Sequence, residues 1–340
     1  MVGKASTATE ASTASGAATP PGKPRAMWLA LGVVALGLGG LMMPIKSELP
    51  PSSATKVPRM DLSSFSGAKP ARPLRLLFVH HSSGGQLFAD KGAENERANC
   101  ILETHPNGGG LRKRLTGMGY EVHEASYGSE VGDKTDLFDW KPKFSQKMEK
   151  VLTVDENDRF LAAGKKHDVV MFKSCYPNNR FVTRGEGPGD PAGPELTVVN
   201  AKATLRALLD DFKKHPDTLF VYVTAPPNAP PGSERAFKVV LKKLTGKPTA
   251  AEAARERGQL ARELNQWVVA SDGWLKDYPL KNVAAFDYYD VLTGQGRSDL
   301  TLYPTGDGTD EHPSSEGNTK AAEAFPELLN RAVRRAGLSD

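Results

Sequence analysis

Leu74-Arg75-Leu76-Leu77-Phe78-Val79-His80-His81-Ser82-Ser83-Gly84-Gly85 is the stretch that decides how the chain is read. Its first half is a short apolar run with the length and character of a strand buried in a parallel sheet. Its second half is small, polar and glycine-rich, the chemistry of a turn that leaves a strand and opens a helix. Four further runs share the texture of the first half: Tyr120–Ala125, 168–172, 218–224 and 282–286. Helical patterns lie between them. Leu205, Leu208, Leu209 and Phe212 fall on one helical face, as do Leu260, Leu264, Trp267 and Val268. Thr249, with Glu252 three residues on, predicts a capping box at the start of the second of these helices. A last helix over 315–336 aligns Ala321, Phe325, Leu328, Leu329 and Ala332, with a kink expected at Pro326. Strands alternating with helices imply an α/β domain with a mainly parallel five-stranded sheet and helices on both faces. Such sheets bind ligands beyond the carboxyl ends of their strands. Residues 85–110 and 180–195, rich in glycine and polar side chains, read as long loops beside that edge.

The residues ahead of this domain have a different composition. Residues 1–26 are rich in Ala, Ser, Thr, Gly and Pro with no apolar periodicity, and are expected to form a disordered tail. The uncharged segment 27–45 follows; at about 1.5 Å per residue it nearly crosses a hydrocarbon core of roughly 30 Å. Lys23 and Arg25 precede it. The tail is therefore expected to stay in the cytoplasm, with the remainder exported on a single-pass transmembrane anchor. A cleaved signal peptide, giving a secreted protein, is the competing reading. Residues 46–72 read as a Pro/Ser-rich linker, and 73–340 as the exported domain.

A formal net charge of +4, with no basic stripe interleaved with aromatics, gives no nucleic-acid signal. The two cysteines, Cys100 and Cys175, are too few for a disulfide framework or a cysteine-built zinc site. In an exported domain they either pair, pinning the segment around Cys100 over the strand edge, or remain free.

The strand ends carry side chains suited to acyl chemistry. A serine at a strand-to-helix turn, as at Ser82, projects its hydroxyl above the sheet with backbone N–H groups turned into the site. After the second run, Gly132 or Gly128 lets a backbone N–H approach a substrate. After the third, Lys173-Ser174-Cys175-Tyr176-Pro177-Asn178-Asn179 offers Asn178 or Asn179 as a neutral donor to an oxyanion. Ahead of the last helix, Asp310-Glu311-His312-Pro313 sets a carboxylate two residues from a histidine whose tautomer it can hold. Each block by itself is also what an ordinary turn contains. Lys173 and Tyr176 read as ordinary strand-end residues, with lining of the pocket as the alternative.

Taken in order, Ser82, Gly132 (or Gly128), Asn178 (or Asn179), Asp310 and His312 resemble the SGNH (GDSL-type) hydrolase superfamily, over residues 73–338. Its divergent members with a His-His-Ser turn and a Lys-Ser-Cys segment are the nearer likeness. Gly132-Asp133-Lys134-Thr135 is similar to the family's second block and Asp310-Glu311-His312-Pro313 to its last. His80-His81-Ser82 stands where Gly-Asp-Ser is usual, the third block lacks Gly-x-Asn-Asp, and Asp310 is one residue nearer to the histidine than usual. The resemblance implies a three-layer, flavodoxin-like fold and a serine esterase without metal or organic cofactor. Ser82 would attack, His312 would take its proton and Asp310 would orient His312. Backbone N–H groups near Ser82 and Gly132, with Asn178, would hold the oxyanion. Export favours an acetylated polysaccharide as substrate first and a lipid second. The Gly-x-Ser-x-Gly elbow of an α/β-hydrolase is absent from the sequence.

Other readings stay open on sequence alone. His80 or His81 with His312 and Asp310 make a ligand set for metal-dependent hydrolysis. His81 is also a candidate for touching substrate or replacing His312 as base. A surface glycan-binding or scaffolding domain on a degenerate hydrolase fold fits the altered blocks, and an acyltransferase would use the same catalytic residues.

Overall fold

Leu74–Val79 (β1) pairs in parallel along both edges, with Tyr120–Ala125 (β2) on one side and Val169–Lys173 (β3) on the other. Leu219–Val223 (β4) and Val283–Phe286 (β5) extend the sheet, so that all five strands are parallel in the order β2-β1-β3-β4-β5. That is a doubly wound order with its topological switch point between β1 and β3. The computed structural model describes residues 44–45, 51–308 and 310–339.

The helices in chain order are Ser82–Phe88 (α1), Leu111–Gly117 (α2), Trp140–Thr153 (α3), Val198–Phe212 (α4), Ala236–Leu244 (α5), Ala250–Val269 (α6), Tyr288–Leu292 (α7) and Ser315–Arg335 (α8). Alternation along β1 sends Leu77 and Val79 into one core, with Trp140, Phe144 and Phe212 of α3 and α4. Leu74, Leu76 and Phe78 enter the other, with Leu111, Phe325 and Leu329 of α2 and α8. Both faces of the sheet are therefore covered, in three α/β/α layers. The strand runs expected at 168–172, 218–224 and 282–286 lie within a residue of β3, β4 and β5. The capping box is present: Thr249 Oγ1 accepts from Glu252 N at 3.2 Å, and the Glu252 carboxylate from Thr249 N at 2.8 Å. The kink expected at Pro326 is absent as a break; α8 continues from Ser315 to Arg335 with Pro326 buried between Phe325 and Leu329.

Two expectations are corrected. Residues 85–110 are not a loop. They hold most of α1 and a small three-stranded sheet made of Asp90–Lys91, Asn95–Ala98 and Ile101–His105. These strands are short and carry exposed polar residues, so they lack the apolar run that marks a core strand. The described part of the linker, 51–72, is bound to the domain rather than free. Arg59 reaches Asp290 at 2.7 Å and Asp287 at 2.9 Å. Ser53 N donates to Asp299 at 2.7 Å, and Arg331 Nη1 donates to the carbonyls of Leu62, Ser63 and Phe65, each at 3.1 Å. Pro and Ser deny this strap regular structure, yet its unpaired carbonyls are what the arginines of α8 take up.

The anchor expected at 27–45 lies outside the described residues except at its end, where Pro44–Ile45 form a two-residue strand antiparallel to Glu234–Arg235. Among the described residues no helix is long and apolar enough to cross a membrane. The tail 1–26 is likewise outside them.

His167, just ahead of β3, is 2% exposed and donates through Nε2 to the carbonyl of Val154 at 2.6 Å. Burial pushes its pKa down to about 4, against the pull of that carbonyl in the other direction. Unfolding returns the ring to an ordinary value near 6.5. The stability it carries is therefore complete above about pH 6.5 and is lost as pH falls toward 4, on the order of 3 kcal/mol across that window. His167→Asn is expected to flatten the stability-pH curve in that window, measured by urea unfolding at pH 7 and pH 4.5; an equally steep curve in the variant would show that another group governs it.

Candidate active site

The turn after β1 is fixed from below by buried charge. His80 is fully buried, and its Nε2 meets Glu124 Oε2 of β2 at 3.0 Å. Arg112 of α2 grips the other oxygen of the same carboxylate at 2.8 and 2.6 Å. Burial alone would raise the Glu124 pKa, but His80 and Arg112 together hold it below the usual carboxylate value. Close packing then demands glycine at the next two turns of the chain. A Cβ on Gly84 would come within 2.4 Å of the His80 Cβ, and one on Gly85 within 2.0 Å of the Cys100 carbonyl oxygen.

This anchoring presents Ser82, the first residue of α1, at the switch-point crevice. Ser82 Oγ lies 3.0 Å from His312 Nε2, across 230 residues of sequence. His312 Nδ1 lies 2.7 Å from Asp310 Oδ1, and the His312 backbone N–H donates to the same oxygen at 2.9 Å. Asp310 and His312 belong to a short strand, Asp310–Pro313, paired with Pro304–Thr305. Thr305 Oγ1 donates to the His312 carbonyl at 2.7 Å, and Asn107 steadies Thr305 at 2.9 Å. The Tyr176 ring meets the His312 ring edge-on at 5.2 Å, and Arg180 lies over Tyr176 while pairing with Glu311. The partial exposure of Asp310 leaves this set open to a groove of about 910 Å³ lined by Tyr176, Arg180, Phe181, Pro230, Pro231 and Asp310.

The proposed donors are otherwise engaged. Gly132 N–H points to Ser129 Oγ at 2.9 Å, and Gly128 N–H to Asp133 Oδ1 at 2.7 Å. The amide of Asn178 donates to Asp136 Oδ1 at 2.9 Å and to the Cys175 carbonyl at 3.3 Å, while that of Asn179 donates to the carbonyls of Ala225 and Pro226. The loop carrying Gly132 is held by buried Lys143, which donates to the carbonyls of Val131 and Asp133. The backbone N–H groups of Ser82 and Ser83, by contrast, stand at the start of α1 with no acceptor among the described residues.

His81 and His80 do not converge with His312. His81 Nε2 donates to the Gly132 carbonyl at 2.8 Å and its ring stacks on Tyr127 at 3.4 Å. Burial drives its pKa down to about 4, so the ring is neutral, and its Nε2 is turned to Gly132 and not to Ser82. With both rings committed to protein partners, the metal-ligand set of His80 or His81 with His312 and Asp310 is not assembled. No group of three or more such side chains comes together elsewhere among the described residues.

Several site residues escaped the sequence reading. Lys173, at the end of β3, is fully buried, and its Nζ donates to Ser83 Oγ at 2.6 Å and to the Ser174 carbonyl at 3.1 Å. Ser83 Oγ is 3.2 Å from Cys175 Sγ, and Ser82 Oγ is 3.6 Å from it. Burial pushes the Lys173 ammonium below its ordinary pKa, against the attraction of Cys175. Burial also raises the Cys175 thiol, but Lys173, the two serine hydroxyls and the Tyr176 N–H outweigh it and hold the thiol below its ordinary value. Cys175 and Cys100 are both free. The Tyr127 phenol lies beside Ser82, its pKa pushed up to about 12 chiefly by burial. The one signal for Lys173 and Cys175 was their place at the carboxyl end of a core strand.

No family model matches the sequence, and no curated protein matches it. Among solved structures, weak likenesses to two carbohydrate esterases are found. A carbohydrate esterase family 2 enzyme with a carbohydrate-binding domain, from Corynascus thermopiles (Myceliophthora fergusii), superposes with a TM-score of 0.39 and 16% identity, over 78% of this chain and 68% of that one. A family two carbohydrate esterase from Cellvibrio japonicus superposes with a TM-score of 0.31 and 13% identity, over 79% of this chain and 63% of that one.

Removing Glu124 would leave buried His80 without its carboxylate and half-buried Arg112 with only Glu103, at 3.9 Å, so Glu124→Ala is expected to cost about 3 kcal/mol of folding stability. Urea denaturation of the variant checks this; a loss below about 1 kcal/mol, the value of an exposed pair, would mean that the carboxylate does not hold the turn.

Proposed function

We propose that the chain is a serine-dependent ester hydrolase acting outside the cytoplasm, with an acetylated carbohydrate as the first substrate class to test. The observation that carries this reading is the unbroken hydrogen-bonded series from Ser82 Oγ through His312 to Asp310, at 3.0 and 2.7 Å. A serine hydroxyl needs an adjacent base to act as a nucleophile at neutral pH, and that series supplies one. Ser82 Oγ attacks the ester carbonyl while its proton passes to His312 Nε2. Asp310 holds the Nδ1 proton and stabilises the imidazolium. His312 then gives its proton to the leaving alcohol oxygen, and a water, activated by the same ring, releases the acid and restores Ser82.

The free N–H of Ser82 is the donor best placed for the oxyanion, each such donor being worth on the order of 3 kcal/mol of barrier. Gly132 and Asn178 join it only by exchanging Ser129 and Asp136 for the oxyanion. Tyr127, protonated throughout the neutral range, is a further O–H donor beside Ser82. The groove beside Asp310 is open and mixed in character, which suits a hydrated chain better than an enclosed acyl pocket would. Export rests on Lys23 and Arg25 ahead of an uncharged segment.

Ser82→Ala and His312→Ala are each expected to lower kcat on nitrophenyl acetate by about 10³-fold or more, with a smaller loss for Asp310→Ala. A fluorophosphonate probe is expected to label the parent at Ser82. A folded parent that neither labels nor turns over acetyl esters would identify a non-catalytic glycan-binding or scaffolding domain instead. An acyl group recovered on an added sugar in place of free acetate would identify an acyltransferase.

A further inference from the structure

Four of the large hydrophobic side chains left exposed among the described residues sit on α5. Phe237 is 40% exposed, Val240 47%, Leu241 57% and Leu244 80%, and no residue of this nine-residue helix is buried. Their spacing, i, i+3, i+4 and i+7, puts all four on one face. At 100° per residue, Lys238 follows Leu241 at one margin of that stripe and Lys243 follows Val240 at the other. Lys242 points away from the stripe and pairs with Glu234 at 2.6 Å, fixing the helix at its root. An apolar stripe with an ammonium on either margin is the pattern of a helix lying in a lipid interface. The apolar side chains enter the acyl boundary, and the lysine stems extend their charges to the headgroups.

The course of the chain identifies the occupant. The uncharged run 27–45 ends at Pro44–Ile45, and those residues pair with Glu234–Arg235, the two residues that lead into α5. The longest apolar stretch of the sequence thus reaches the described structure at the root of the helix whose apolar face has no cover among the described residues. The basic residues Arg235, Lys238, Lys242, Lys243 and Lys247 outnumber Glu234, the one acid between positions 233 and 248. We propose that α5 is a membrane-interface foot, which lays Phe237, Val240, Leu241 and Leu244 into a bilayer surface of anionic phospholipid. The groove lined by Asp310 and Tyr176 is also lined by Pro230, Pro231 and Gly232, just ahead of α5 in the chain, so docking through α5 places a bilayer surface against the segment that follows that lining in sequence. The proposal stands on α5 and its surroundings and does not depend on the esterase reading.

Hydrogen exchange tests it on the full-length chain bound to phosphatidylcholine vesicles with and without phosphatidylglycerol. Exchange over residues 236–244 is expected to slow roughly tenfold or more on the anionic vesicles relative to the uncharged ones. The double variant Leu241→Glu, Leu244→Glu is expected to lose that slowing, while unchanged exchange over 315–335 reports an intact fold. Equal exchange on the two vesicle types overturns the proposal, since the face is then either wet or covered by the chain itself. Slowing that survives in the double variant overturns it as well, as does failure of the full-length chain to sediment with the anionic vesicles.

Discussion

The candidate site depends on where the carboxyl end of β1 is held. Pairing on both edges makes β1 a rigid bar, but a bar alone does not aim the residue that follows it. The aim comes from His80, whose imidazole is clamped by Glu124 of the neighbouring strand, itself clamped by Arg112. The end of β1, the strand β2 and the helix α2 are tied at one buried carboxylate, and the chain leaves that knot in one direction. Gly84 and Gly85 then let α1 lie closer to His80 and Cys100 than any side chain would permit. Ser82 is placed by these contacts, and only afterwards does His312 come within reach of it.

The region below Ser82 is chemically unusual. A lysine with no accessible surface ordinarily has a carboxylate for a neighbour, because an unpaired ammonium in the interior is costly. Lys173 has hydroxyl, carbonyl and thiol neighbours instead. Burial lowers the ammonium's pKa, while the lysine and the serine hydroxyls lower that of the thiol. Ser83 lies between them and relays the hydrogen bonding. The floor of the crevice is thus polar and fully hydrogen-bonded without a carboxylate, and Ser82 faces the thiol on one side and the imidazole on the other.

The sheet was legible because a strand buried on both faces leaves a contiguous apolar signature, and five such runs are separated by recognisable amphipathic helices. The approach of Asp310 and His312 to Ser82 was visible only through the order of short blocks, since no local property of Asp310-Glu311-His312 announces a partner 230 residues away. Donor directions were not legible at all. Whether Gly132 N–H faces a substrate or Ser129 is decided by a hydroxyl three residues back, and Asn178 is captured by Asp136 on a neighbouring loop. Lys173 and Cys175 look like ordinary residues at a strand end until the sheet places them under α1. The small sheet at 90–105 was missed because polar edge strands carry no hydrophobic period.

The strap at 51–72 also has a consequence for reach. A free chain of that length could extend up to about 75 Å and let the domain wander over a wide area. Bound through Arg59, Ser53 and the carbonyls taken up by Arg331, it is fastened along the domain surface and cannot extend in that way. The residues that lead into β1 are therefore part of the domain surface and not a flexible spacer ahead of it.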